Sequence, residues 1–239
     1  MRELDGLSLR DNRMRRALII RHHVEDDAGL VGTALVERGF TLETIMLDHE
    51  HRGSIRIDVD AIVVLGSNNA VYDVEVRTTW LDEELLALRR AHDAGVAIFG
   101  ICFGAQALCV MFDGAVERAT NVEEGWFTID VIAGCEISRG PWFEYHGDHC
   151  LVPSSARVLA RTSDAVQVFA IGRHLAVQFH PEVDADQLAR WFASETPTAR
   201  AHSARQTQLL EQTRRESARA TVDTAALVDF FLKNADLDL

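Results

Sequence analysis

The run Val96-Ala97-Ile98-Phe99 leads straight into Gly100-Ile101-Cys102-Phe103-Gly104, and no other stretch limits the fold of this chain as strongly. The apolar residues predict a buried strand. Ala105, Gln106, Ala107 and Leu108 predict the first turns of a helix. A strand that breaks into a helix through Gly-x-Cys-x-Gly forces two backbones together. Glycine, which has no Cβ, permits that approach at Gly100 and Gly104. Cys102, at the apex, is then pushed outward at the helix N-terminus, where the helix dipole favours an anion. This is a nucleophile elbow with a cysteine in the nucleophile's place.

The surrounding chain reads as alternating strands and helices. Strands are expected at Arg16–Ile20, Thr41–Met46, Ala61–Leu65 and Val96–Phe99, and helices at Gly29–Arg38 and Trp80–Ala94. The continuous β-branched run from Ala61 suits a strand covered on both faces. The alternation implies an α/β fold, a central and mostly parallel sheet with flanking helices. After Gly114 the texture changes. Short β-forming runs at Trp126–Ile132, Val158–Arg161, Val166–Ile171 and Leu175–Phe179 are expected to add antiparallel strands and hairpins to the sheet. From Asp186 to Ala193 and from Ala204 to Lys233 the chain turns helical. Three parts are expected: a leader over residues 1–14 (Met14 being an alternative start), one domain over 15–195, and a helical extension over 196–239 packed on it.

Composition narrows the function. The 239 residues carry a formal net charge of −13, which disfavours nucleic acid as a partner. No apolar run approaches the ~20 residues of a membrane span, and the charged N-terminus lacks a secretory apolar region. A cytoplasmic location is expected. The four cysteines form no C-x-x-C pair, so neither a disulfide framework nor a structural zinc site is expected. Cys109 reads as a small buried residue. No histidine spacing makes a metal site, and no cofactor is expected. His22 and His23 follow the first strand and are placed at a pocket rim. His149 and His174 are placed at the surface.

A cysteine nucleophile needs a base, and the base an orienting group. Ala176-Val177-Gln178-Phe179-His180-Pro181-Glu182-Val183 supplies both. A strand delivers His180 at its C-terminal end. Glu182, two residues on, points to the same side in an extended chain, and Pro181 stiffens the spacing. Strand C-termini gather at one edge of an α/β sheet, so the elbow and His180 are expected to meet there.

These segments resemble the class I glutamine amidotransferases, in particular stand-alone members similar to the glutaminase domain of GMP synthase. The matching pieces are GICFGAQ around Cys102, VQFHPEV around His180 and Glu182, LGSNNAVYD from Leu65 to Asp73, and YHGD from Tyr145 to Asp148. They fall in the family's order over most of Arg16 to Val183. The resemblance implies a flavodoxin-like amidotransferase fold and a Cys102–His180–Glu182 triad that hydrolyses the glutamine side-chain amide through a γ-glutamyl thioester. The backbone N–H of Phe103, just past the nucleophile, is one expected oxyanion donor; by resemblance Gly66 is the other. Also by resemblance, Gln106, His146 and Asp148 contact the substrate, L-glutamine or a γ-glutamyl compound, with Asp148 available to the ammonium. Tyr72 is read as structural. Where synthase-type domains carry Gly-Gly-Pro, this loop has Ser67-Asn68-Asn69. No Gly-rich phosphate loop is present, so ammonia used in synthesis would pass to a partner synthetase. Two alternatives stay open: a γ-glutamyl hydrolase without a synthetase, and a non-catalytic regulatory partner. The oligomeric state is not readable.

Overall fold

A computed structural model describes residues 14–48, 55–195 and 203–237. The expected leader lies outside these residues, except for Met14. The central sheet has eight strands in the order β2-β1-β3-β4-β10-β9-β8-β6. β1 (Arg15–Arg21), β2 (Phe40–Met46), β3 (Ala61–Val64), β4 (Ala97–Ile101) and β10 (His174–Val177) run parallel, and β9 (Val166–Ile171), β8 (Arg157–Arg161) and β6 (Asp130–Val131) continue antiparallel along one edge. The α/β sheet with helices on both faces is the architecture expected from the alternation.

Strand periodicity explains the two cores. Ala17, Ile19, Val63 and Phe99 point to one face of the sheet, and Leu18, Ile20, Ile62, Val64 and Ile98 to the other; all are fully buried. The first face is covered by α1 (Gly29–Glu37) and by α6 (Ala204–Asn234), whose Leu227, Val228, Phe231 and Leu232 belong to the same apolar cluster. The second is covered by α3 (Asp82–Asp93) and α4 (Phe103–Met111). α5 (Ala185–Glu195) packs against α6. At 31 residues α6 is about 46 Å long, and it opens on a capping box in which Ser203 and Gln206 bond each other's backbone. Among the described residues, no helix is long and apolar enough to cross a membrane.

Several expectations need correction. The helix expected from Trp80 begins earlier, as α2 (Val74–Val76) capped by the Asp73 side chain, and reaches α3 through a π turn at Arg77–Leu81. The strand expected at Trp126–Ile132 is the end of a longer one, β5 (Ala115–Phe127), followed by the separate β6. β5 pairs with β7 (Trp142–Leu151) in a two-stranded sheet of its own instead of joining the main one. The sequence pattern does not predict β7, because glycine and charged residues interrupt it; Gly147 and Asp148 lie inside this strand. His174 is buried, not at the surface. Its Nδ1 accepts the Ile98 N–H at 3.1 Å, and its Nε2 meets His92 Nδ1 at 2.8 Å.

Candidate active site

The C-terminal ends of β1, β3, β4 and β10 converge on one cleft of about 50 Å³. They bring His23, the loop from Gly66, Cys102 and His180 together there. Cys102 sits between β4 and α4 at φ 50°, ψ −104°, a left-handed conformation that only a tightly held turn sustains. The glycines explain how the turn closes. A Cβ on Gly100 would stand 2.4 Å from the Gly104 carbonyl oxygen, and one on Gly104 would stand 2.2 Å from that of Val64. The Cys102 N–H bonds the Val177 carbonyl at 2.8 Å, tying the elbow to β10. Phe103 opens α4, so its N–H belongs to the first turn, whose donors have no partner within the helix.

His180 follows β10, and its N–H bonds the Phe143 carbonyl on β7 at 2.8 Å. Its Nδ1 lies 2.7 Å from Glu182 Oε1, with both side chains buried. Burial alone would lower the His180 pKa. The Glu182 carboxylate and the neighbouring Cys102 outweigh it and hold the value well above the usual histidine range. Gln178 donates to Cys102 Sγ at 3.7 Å. The ring of Trp191, from α5, meets that of His180 edge-on at 5.2 Å.

Residues 29–193 match the family described as glutamine amidotransferase class-I. The chain belongs to the class I glutamine amidotransferase family. Among curated proteins it is 29% identical over 167 residues to a GMP synthase [glutamine-hydrolyzing] of Allorhizobium ampelinum, covering 64% of this chain and 30% of that one. It is equally identical over 169 residues to the enzyme of the same name from Xanthomonas oryzae pv. oryzae, covering 64% and 31%. The chain thus spans about a third of the length of these relatives. Its fold is similar to that of a glutamine amidotransferase from Thermotoga maritima (TM-score 0.78, 22% identity, 92% of this chain and 99% of that one). It is also similar to a glutamine amido transferase from Methylobacillus flagellatus (TM-score 0.79, 19% identity, 93% and 96%).

Around this cleft the other expected residues are placed unevenly. Gly66 lines it, close enough that a Cβ there would stand 3.0 Å from His180 Cε1. Gln106 is buried on α4 and is not a lining residue. Asp148 is not a lining residue either; its carboxylate accepts the Tyr72 hydroxyl at 3.0 Å. His146 is buried in the β5–β7 sheet opposite Glu123, 3.3 Å from it and 3.1 Å from Glu144. Burial would lower its pKa, but the two carboxylates outweigh this and push it up to about 10. Among the described residues, these three side chains are the group with donors close enough for a metal ion.

The cleft also holds residues that no motif announced. Asp26, from the loop after β1, is its acidic lining residue, and Trp191 forms an aromatic wall with Tyr145, the first residue of the YHGD segment. Burial, then the nearby Glu182, raises the Asp26 pKa to about 6. His23 lines the cleft as expected. His22 does not; it is buried beneath it, because successive residues leave a strand on opposite sides.

Proposed function

We propose that this chain hydrolyses the side-chain amide of glutamine, with Cys102 as nucleophile, His180 as acid–base and Glu182 as its orienting carboxylate. The observation that carries this reading is the buried 2.7 Å His180–Glu182 pair set beside a cysteine held at φ 50° on a helix N-terminus. The Cys102 thiol gives its proton to His180, and the sulfur attacks the amide carbon. The C–N bond breaks as His180 returns that proton to the leaving nitrogen, releasing ammonia and leaving a γ-glutamyl thioester. Water, deprotonated by His180, then cleaves the C–S bond to give glutamate and the free thiol. The negative oxygen formed in each step meets the Phe103 N–H and the loop that starts at Gly66. Asp26 suits the substrate's ammonium. The relatives' names couple glutamine hydrolysis to GMP synthesis; by that analogy the ammonia here passes to a synthetase.

The test is release of glutamate and ammonia from glutamine by the purified protein, with hydroxylamine trapping the acyl group as γ-glutamyl hydroxamate. Cys102→Ala should abolish both. Turnover of γ-glutamyl amines without glutamine would replace this reading with γ-glutamyl hydrolysis. Turnover of neither would favour a regulatory role.

A further inference from the structure

Beneath the cleft lies a pair of titratable side chains that this chemistry does not use. The side chains of His22, after β1, and Glu84, in the first turn of α3, are both fully buried. His22 Nε2 lies 3.1 Å from Glu84 Oε2, and Nδ1 lies 2.9 Å from the carbonyl oxygen of Gly66. A carbonyl oxygen only accepts, so Nδ1 carries a proton. Trp80 and Phe103 close around the imidazole with ring centroids 5.1 and 4.9 Å away. Trp80 and Glu84, four residues apart across the end of the π turn, therefore grip one ring together. The second Glu84 oxygen has no hydrogen-bond partner among the described residues, so the carboxylate is committed to His22.

The Gly66 carbonyl belongs to the peptide between Gly66 and Ser67, which is trans. In a trans peptide the C=O and N–H point in opposite directions. With the oxygen drawn down to His22, the Ser67 N–H faces the other way, and Ser67 lines the cleft above. Phe103, whose N–H is the other expected donor, rests its ring on the same imidazole.

We infer that His22, held by Glu84, is a positioning residue that fixes the Gly66–Ser67 peptide so that the Ser67 N–H, with that of Phe103, meets the oxyanion formed on Cys102. The inference rests on the acyl-transfer reading above. It also answers a departure in the sequence. A loop with Ser67-Asn68-Asn69 in place of Gly-Gly-Pro lacks the stiff proline. Here the peptide is tied from below by His22 and from its own side by Ser67 Oγ, which accepts the Asn69 backbone N–H at 3.2 Å and the Asn69 side-chain amide at 3.0 Å. Burial alone would lower the His22 pKa, but Glu84 outweighs it and raises it, which favours the doubly protonated ring that can donate to Gly66 and to Glu84 together.

Two double variants avoid leaving a buried charge alone. His22→Leu/Glu84→Leu removes the tie to Gly66; His22→Asn/Glu84→Gln keeps an amide donor at the Nδ1 position. The leucine pair should lose about 10²–10³ in kcat with KM unchanged. Alkylation of Cys102 by iodoacetamide, which forms no oxyanion, should keep its rate. The Asn/Gln pair should recover most of kcat. Ser67→Pro deletes the inferred donor itself and should reproduce the kcat loss with normal alkylation. Full kcat in Ser67→Pro overturns the inference even where the leucine pair fails to fold. Unchanged kcat in a folded leucine pair overturns it too, as does a parallel fall in alkylation or no recovery in the Asn/Gln pair. Wild-type protein that turns over neither glutamine nor γ-glutamyl-p-nitroanilide overturns the acyl-transfer reading, and the dyad's role with it.

Discussion

The Thr224 hydroxyl, on the C-terminal helix, donates a 2.8 Å hydrogen bond to the backbone carbonyl of Pro181, between His180 and Glu182. Thr224 is fully buried. The helix that covers one face of the sheet therefore also braces the turn that carries two of the proposed catalytic groups. Thr224→Val keeps the shape and leaves that carbonyl without its donor. It should cost about 1–3 kcal/mol of stability, read by urea denaturation, and lower kcat for glutamine more than it changes KM. Thr224→Ser should restore both. Equal kcat in all three proteins would show that the brace does not reach the chemistry.

Glu182→Gln removes the charge from His180 and keeps the size. The expected result is a fall in kcat of about 10²–10⁴ with KM within a few-fold. Stability should respond with a defined sign. The folded His180 pKa lies above its unfolded value because Glu182 and Cys102 outweigh burial. That contribution is full below about pH 6.5 and is lost as pH rises through the folded value. Urea midpoints from pH 6 to 9 should therefore fall less steeply in Glu182→Gln than in the wild type. Parallel curves would mean that the pair is not ionic.

The acid limb should belong to His174. Burial, then the charges of His92 and Arg173, lowers its pKa to about 4. The unfolded chain binds this proton more tightly, so stability is full above about pH 6.5 and is lost as pH falls toward 4, by up to about 3 kcal/mol. His174→Asn retains an acceptor for the Ile98 N–H and removes the titration. The difference between its unfolding free energies at pH 7.5 and pH 4.5 should be smaller than in the wild type. An equal difference would place the acid sensitivity elsewhere.

Legibility followed how locally each feature is encoded. The strands β1, β3 and β4 could be read because both of their faces are buried and their apolar runs are continuous. The elbow could be read because Gly100 and Gly104 are needed for a backbone contact within one turn. His180 and Glu182 are two residues apart, so their pairing is local, although a turn at Pro181–Glu182 and not the expected extended chain brings them together. The unread features are long-range. His22 and Glu84 are 62 residues apart, and their contact depends on a π turn that no periodicity marks. Asp148 carried a motif, yet its carboxylate turns to Tyr72, 76 residues away. His174 looked polar enough for the surface, and only the packing of β4, β10 and α3 shows its two ring nitrogens already used. The α6 helix was legible as a helix but not as the lid of a core, because its buried Leu227, Val228, Phe231 and Leu232 are a short stretch at the end of a largely polar sequence.

Asp26 gives the sharpest separation of stability from substrate binding. Its carboxyl lines the cleft, and burial together with Glu182 raises its pKa from 3.8 to about 6. An acid whose folded pKa is raised holds its proton more tightly in the native state. Its contribution is full below pH 3.8 and lost as pH rises through about 6, so above pH 6 the ionised group is a strain on the fold of up to about 3 kcal/mol. Asp26→Asn removes that strain. It should raise the melting temperature at pH 8 and leave it unchanged near pH 4. The same charge is what a substrate ammonium would pair with. Asp26→Asn should therefore raise KM for glutamine about 10- to 100-fold, the value of one charged hydrogen bond, with kcat within a few-fold. A substrate that lacks the α-amino group should show no such penalty. A stabilised variant with unchanged KM would make Asp26 a neighbour of the triad that reads no substrate group; an unchanged melting temperature at pH 8 would mean that the carboxylate is not strained in the empty cleft.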